Sequence, residues 1–138
     1  MRDFTEKYAY EVISIGEATV DAFMTLTDPR ESLRIDEEEH DVCIRQGEKI
    51  EVDHYDLCVG GNAANVAVGL KRMGANVGLC TEIGDDELSL KIRNTLAKEV
   101  IERLLVKQTN GPTNFSVILN FQGDRNIFVK NVEREHDF

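Results

Sequence analysis

The sequence predicts an α/β chain in which a parallel layer with covering helices stands beside a separate small β-sheet. Three observations predict it. An apolar run over residues 10–16 ends in glycine, the mark of a buried strand. Two strand-then-helix units follow in direct succession between residues 55 and 100, an order that requires parallel strands joined by helical crossovers. Extended segments paired around glycine turns flank these units and lack the helices of a parallel layer, so they form a sheet of their own, placed over a cleft.

Taken in order, residues 1–9 are polar and read as a frayed end. Residues 10–16 form the first strand, and residues 22–26 continue as a second extended piece. Residues 27–39 are charged, hold Pro29 and show no period, so they read as a loop. Residues 42–45 and 49–52 resemble a hairpin around Gln46-Gly47-Glu48. Residues 55–59 are a further strand. In the helix that follows, Ala63, Val66, Ala67, Leu70 and Met73 fall three and four apart and predict one apolar face, and Gly74 stands where a C-terminal glycine stop belongs. Residues 76–84 are the next strand. Asp85 or Asp86 caps a helix beginning near Glu87, whose inner stripe is Leu88, Ile92, Leu96 and Val100. Residues 104–106 are apolar but short, a strand or a helix end. Residues 113–121 and 126–130 flank Gln122-Gly123-Asp124 as a hairpin with a glycine turn.

A chain of 138 residues fits one domain with a real core, and 41% apolar with 30% charged residues is ordinary for a globular protein. No apolar run reaches membrane-spanning length and the N-terminus is no signal peptide, so the expected compartment is the cytoplasm, with no membrane partner. A formal charge of −10 argues against nucleic acid, whose phosphates require Lys and Arg. The acidic run Asp36-Glu37-Glu38-Glu39-His40-Asp41 reads as a solvated loop rather than a metal site. Cys43, Cys58 and Cys80 are odd in number and widely spaced, which predicts reduced thiols, and no metal-ligand spacing occurs.

The most informative stretch is Gly60-Gly61-Asn62-Ala63-Ala64-Asn65, where two glycines end a strand and a helix of small residues begins at once. Such a turn offers free backbone N–H groups and, without Cβ atoms, lets a small polar ligand come close. The alternative is a tight strand-to-helix turn with Asn62 as its cap. The stretch is neither the dinucleotide fingerprint nor a P-loop, since the glycines are adjacent and no Gly-Lys-Ser/Thr follows. Asp21 lies five residues past Gly16, just beyond the end of the first strand, where ligands of parallel-layered folds collect. A carboxylate there accepts hydrogen bonds from two hydroxyls of an uncharged polyhydroxy molecule. The alternative is a surface-loop Asp. Gly84-Asp85-Asp86 opens a helix and reads as capping that shapes the fold.

Gly16 with Asp21, then the Gly60–Asn65 block, Gly74-Ala75-Asn76-Val77, Gly84-Asp85-Asp86, and Pro112-Thr113 before a hairpin together resemble the N-terminal portion of the ribokinase-like (PfkB) carbohydrate kinases, from about residue 10 to 130. The resemblance implies a partial three-layer α/β core with a small β-sheet lid made by residues 20–26, 42–58 and 113–130. On that basis residues 1–138 are the N-terminal, substrate-binding part of one domain, ending before the nucleotide-binding half. It further implies that Asp21, Gly60, Gly61 and Asn62 bind substrate hydroxyls with Asn65 close behind, that the substrate is a small sugar or nucleoside, that the complete enzyme uses ATP and Mg2+, and that lid strands pair two subunits into a homodimer.

The chain departs from the family pattern in three places. Ser89 stands where a glycine is common after Gly-Asp-Asp, the arginine and Gly-Ala-Asn run usual past the lid hairpin is replaced by residues 130–138, and the sequence holds no Asp-Thr-x-Gly-Ala-Gly-Asp, the segment that carries the catalytic base and anion hole. No catalytic residue is therefore assigned in this chain, and it is expected to bind neither ATP nor Mg2+ strongly and to be inactive by itself. Two other readings stay open: a non-catalytic sugar-binding or dimerisation module, and an α/β domain that holds a mononucleotide at the Gly60-Gly61 turn.

Overall fold

The computed structural model describes residues 10–27, 32–99 and 101–134. Three parallel strands, β1 (Val12–Ile15), β6 (Val77–Ile83) and β7 (Glu102–Gln108), form one sheet in the order β1-β6-β7. All seven residues of the central strand β6 are buried, which is why it reads as a continuous run rather than an alternating one. Alternate β6 side chains Val77, Leu79 and Ile83 enter a single apolar cluster with Ala63, Ala64 and Ala67 of helix α1 (Asn62–Arg72) and Ile92 and Leu96 of helix α2 (Glu87–Lys98). The described residues thus supply a parallel sheet and the helices on one of its faces. Glu82, on the opposite face of β6, is buried and carries an ion pair to Lys107 Nζ at 3.2 Å, its register partner on β7.

A second sheet has four strands, β5 (His54–Gly60), β2 (Thr19–Leu26), β8 (Phe115–Phe121) and β9 (Asp124–Lys130), in the order β5-β2-β8-β9. β2 runs antiparallel to β5 and parallel to β8, and β8 and β9 form the hairpin predicted around Gln122-Gly123. Both turn residues have positive φ, 49° and 86°, the two-residue turn that matches strand twist. A two-stranded ribbon, β3 (Leu33–Asp36) and β4 (Asp41–Ile44), packs on this sheet through a second cluster of Leu26, Leu33 and Phe121.

Several expectations hold. Gly74 follows the α1 C-cap with φ 96°, and the Gly74 and Ala75 amides donate to the Lys71 and Leu70 carbonyls at 3.0 and 3.1 Å, a Schellman stop. Asp86, not Asp85, caps α2 through the Ser89 amide, Ile92 and Leu96 are fully buried, and residues 104–106 lie in strand β7. The acidic run is the exposed turn between β3 and β4, where Asp36 Oδ1 accepts from the Glu38 and Glu39 amides.

Other expectations fail for identifiable reasons. Within the segment read as a loop, Leu33 and Ile35 alternate with Arg34 and Asp36 and make β3, an alternation concealed by surrounding charge. β4 therefore pairs with β3, and residues 45–53 contain no strand, although Gln46-Gly47 does turn and Ile50 packs on the second cluster. The buried face of α1 is rotated from the predicted one. Ala64 is buried, while Val66 is 51% and Met73 82% exposed, because small alanines, not large apolar residues, let the helix approach β6 closely. The frayed end at 1–9, Val100 and the last residues 135–138 lie outside the described residues.

Candidate functional site

The strand registers of the second sheet define one face row by row. Cys58, Asp21, Ser116 and Val129 share a row. Asp56, Phe23, Ile118 and Ile127 make the next, and His54, Thr25, Asn120 and Arg125 the one beyond. Much of this face, from Asp21, Phe23, Ser116 and Ile118 to Arg125, together with Gly61 and Asn62 at the start of α1, lines a cleft of about 500 Å³. Asp21 lies beyond the end of β1, as its spacing from Gly16 predicts, and is not the surface-loop residue of the alternative reading. It sits inside β2, which begins at Thr19.

Within β2 the side chains of Thr19 and Asp21 project from the same face, and Thr19 Oγ1 donates to Asp21 Oδ1 at 3.0 Å, fixing the carboxylate. The other oxygen, Oδ2, lies where a side chain on Gly60 would stand: a Cβ built there overlaps it. Gly60 thus makes room for the acid and is not itself among the cleft-lining residues. Gly61 is the helix N-cap with φ 92° and ψ 141°, and a Cβ on it would come within 2.5 Å of the Glu17 carbonyl oxygen. The turn is built by glycine packed on the β1–β2 connection, and Asn62 supplies no cap bond, so the alternative reading with Asn62 as the cap is not met. Asn62 is the first helical residue and faces the cleft, whereas Asn65, one turn on, is exposed and is not among the lining residues. The Ala64 amide already donates to the Glu17 carbonyl at 3.3 Å, so the helix start offers fewer free donors than a bare N-terminus would.

Gly84-Asp85-Asp86 forms a joint between α2 and the entry to β8. Asp86 accepts from the Ser89 amide at 3.1 Å, the Thr113 amide at 2.9 Å and the Thr113 hydroxyl, while Asp85 exchanges two bonds with Gly111. Burial alone would push the Asp86 carboxyl up, but the Thr113 and Ser89 donors outweigh it and hold the group below the usual carboxylate range. Ser89, the departure noted in the sequence, is buried, and its hydroxyl donates to the Asp86 carbonyl at 2.6 Å. The segment after β9 is fastened to the same joint. Arg134 donates to Thr109 Oγ1, Asn114 Oδ1 and the Pro112 carbonyl, and Asn114 Oδ1 also accepts from the Val132 amide.

The sequence did not single out Thr19, Phe23, Glu17 or Arg134. For the first two a signal existed, the alternation Thr-x-Asp-x-Phe, which puts three side chains on one strand face. Among the described residues no cluster of metal-ligating side chains occurs, and no helix is long and apolar enough to cross a membrane. Cys43, Cys58 and Cys80 are free thiols. Burial, and then the Asp56 carboxylate beside it, push the Cys58 thiol up.

Residues 12–138 match the pfkB family of carbohydrate kinases. The chain belongs to that family. Among curated relatives of this PfkB chain, fructokinase of Escherichia coli is 37% identical over 72 residues, 51% of this chain and 24% of the relative. Fructosamine kinase FrlD of Bacillus subtilis is 37% identical over 84 residues, 57% of this chain and 29% of the relative. A 5-dehydro-2-deoxygluconokinase of Clostridium perfringens is 24% identical across 97% of this chain and 39% of its own length. The chain thus spans well under half the length of these relatives. Among solved structures, ribokinase of Arabidopsis thaliana complexed with ribose and ATP superposes with TM-score 0.70 at 18% identity, over 89% of this chain and 36% of that one. Fructokinase of Halothermothrix orenii gives 0.65 at 22%, over 88% and 37%. These structures show the ribokinase fold, of which the chain forms part.

Proposed function

We propose that this PfkB chain is the N-terminal, sugar-binding part of an ATP-dependent kinase that transfers the γ-phosphate of ATP to a hydroxyl of a small carbohydrate. One observation carries the reading: the Asp21 carboxylate, held by Thr19 and accommodated by Gly60, opens on the same cleft as Gly61 and Asn62. A fixed carboxylate beside a backbone that permits close approach suits paired hydroxyls, each charge-assisted hydrogen bond contributing about 1.5–3 kcal/mol. In this role Asp21 accepts from two hydroxyls, the Gly61 backbone and Asn62 side chain meet the ring, Gly60 acts through Asp21, and Asn65 stands behind.

The relatives' names (fructokinase, fructosamine kinase, 5-dehydro-2-deoxygluconokinase) favour a six-carbon sugar or its derivative as acceptor over a nucleoside. The four-stranded sheet serves as the lid, and a homodimer would cover the half-exposed Leu57 and Phe128 on its outer face. ATP and Mg2+ belong to the complete enzyme, because the sequence holds no Asp-Thr-x-Gly-Ala-Gly-Asp to supply base and anion hole, and this chain alone is expected to be inactive. The expected compartment is the cytoplasm. The test is Asp21→Ala in the complete kinase carrying this segment. Calorimetry should show sugar binding lost and ATP binding retained; unchanged sugar affinity would remove Asp21 from the site.

A further inference from the structure

The same cleft carries opposite charge at its two ends. At one end stand Glu17 and Asp21. At the other stands Arg125, the first of the β9 residues to face the cleft and the only cation among its described lining residues. Between them the cleft wall is apolar: Phe23, Ile118 and Ile127 line it in the one intervening row, and Val129 stands in the Asp21 row. Among the described residues no ion pair or side-chain hydrogen bond engages the Arg125 guanidinium. The adjacent Asp124 carboxylate is turned to the Arg125 amide, its Oδ1 accepting at 2.7 Å. A free guanidinium facing a cleft is notable in a chain of net charge −10, where carboxylate partners are abundant.

We infer that the acceptor is an anionic sugar, whose hydroxyls meet Asp21 and whose carboxylate or phosphoryl group is read by Arg125. The inference rests on the sugar-site reading above and revises the uncharged polyol expected from the sequence. Dimensions support it. From the Asp21 row to the Arg125 row is four residues, about 13 Å along the strands, and β2 and β9 are two strand spacings apart, about 10 Å. An extended arginine spans much of that diagonal, and the remainder suits a hexose-length chain with a terminal anion. The planar fork of arginine matches both carboxylate and phosphoryl oxygens, while the apolar band accepts the C–H face of the carbon chain.

Two neighbouring polar side chains, Asn114 and Ser116, are less suited than Arg125 to reading an anion. Asn114 is buried and already binds Val132 and Arg134. Ser116 shares the Asp21 row and meets the same hydroxyl end.

The test is an amide-resolved NMR titration of this chain with fructose, gluconate, fructose 6-phosphate and inorganic phosphate, repeated with Arg125→Gln. The sugar anions should bind about tenfold tighter than fructose and shift the Gly61, Asn62 and Arg125 amides together. Arg125→Gln should bring them to the level of fructose, leave fructose affinity unchanged, and preserve the spectrum elsewhere. An advantage confined to gluconate identifies a carboxylate, and one confined to the phosphate ester identifies a phosphoryl group; either supports the proposal. Equal affinities for neutral and anionic sugars overturn it, as does an anionic advantage that survives Arg125→Gln. Inorganic phosphate reproducing every shift caused by the sugar anions also overturns it, since Arg125 is then only a surface cation. If no sugar, charged or neutral, moves Gly61 and Asn62, the sugar site itself falls, and the anionic assignment with it.

Discussion

Adjacent glycines with different duties allow a sharp separation of fold from site. Gly61→Ala places a Cβ within 2.5 Å of the Glu17 carbonyl oxygen and 2.9 Å of the Ala18 Cα, and it forces an L residue to φ 92°. The unfavourable backbone conformation costs about 1–3 kcal/mol, and the overpacking against fixed backbone about 1–3 kcal/mol more. A chain of this size loses roughly 3–5 °C of Tm per kcal/mol, so the variant should melt roughly 10 °C or more below wild type. Gly60→Ala differs in kind. Gly60 lacks a positive φ, and its new Cβ meets the movable end of Asp21 and, at 3.3 Å, Thr19 Oγ1. Restricting the unfolded chain contributes about 0.4–1 kcal/mol of stability, which offsets the lost Thr19–Asp21 bond of about 0.5–1.5 kcal/mol. Tm should therefore hardly move. The displaced carboxylate should forfeit about one charge-assisted bond to the sugar, roughly ten- to hundredfold in affinity. Thermal melts by circular dichroism read the first quantity and NMR titration with the best-binding sugar reads the second. Intact sugar affinity in Gly60→Ala, or melting as poor as that of Gly61→Ala, would refute the assignment of Gly60 to the acid rather than to the backbone.

Two further predictions concern the core and the joint. Thr81 is 0% exposed and its hydroxyl has no partner among the described residues, so Thr81→Val should raise stability by about 1 kcal/mol; a lower urea midpoint in the variant would mean the hydroxyl is satisfied. Asp86→Ala removes the α2 cap and the tie to Thr113 and should cost about 1–2 kcal/mol at pH 7. Because the folded-state value of Asp86 is depressed, its contribution is complete above the unfolded carboxyl value of about 3.9 and disappears as pH falls through the folded one. Wild type and variant should therefore begin to converge in urea unfolding as pH falls below about 3.9, and a constant gap would show that the carboxylate charge does not matter.

The fold was legible where local chemistry decides structure. Gln122-Gly123 turns, Gly74 stops α1 and Asp86 starts α2, each through residues whose backbone preferences dominate. It was illegible where packing decides. Leu33 and Ile35 form a strand only because Leu26 and Phe121 of the second sheet give Leu33 a surface to cover. The buried face of α1 is set by how closely alanines let it approach β6, and an apolar count gives the bulky Val66 and Met73 more weight than Ala64. Of the candidate site, Asp21, Gly61 and Asn62 come to one cleft, Gly60 acts one step removed, and Asn65 lies outside the lining. That distinction depends on a φ angle and on where a missing Cβ would fall, quantities that spacing does not contain.

The placement of Asp21 in β2 also bears on how such a cleft could close. Ala18 and Val20, flanking Thr19, belong to the main core cluster, and Leu26 at the far end of β2 belongs to the second. The strand that carries the acid is thus held at both ends by buried apolar contacts, and local opening there requires disrupting a core. Arg125 is at the other extreme. β9 is exposed along its whole length and pairs, among the described residues, with β8 alone, leaving its other edge without a described strand partner. The cleft therefore has a fixed hydroxyl-reading end and a compliant cationic end. A ligand long enough to touch both would draw the edge strand toward the core, whereas one that touches Asp21 alone would leave it where it stands. Hydrogen exchange of the β9 amides should accordingly slow with a sugar anion and stay unchanged with fructose.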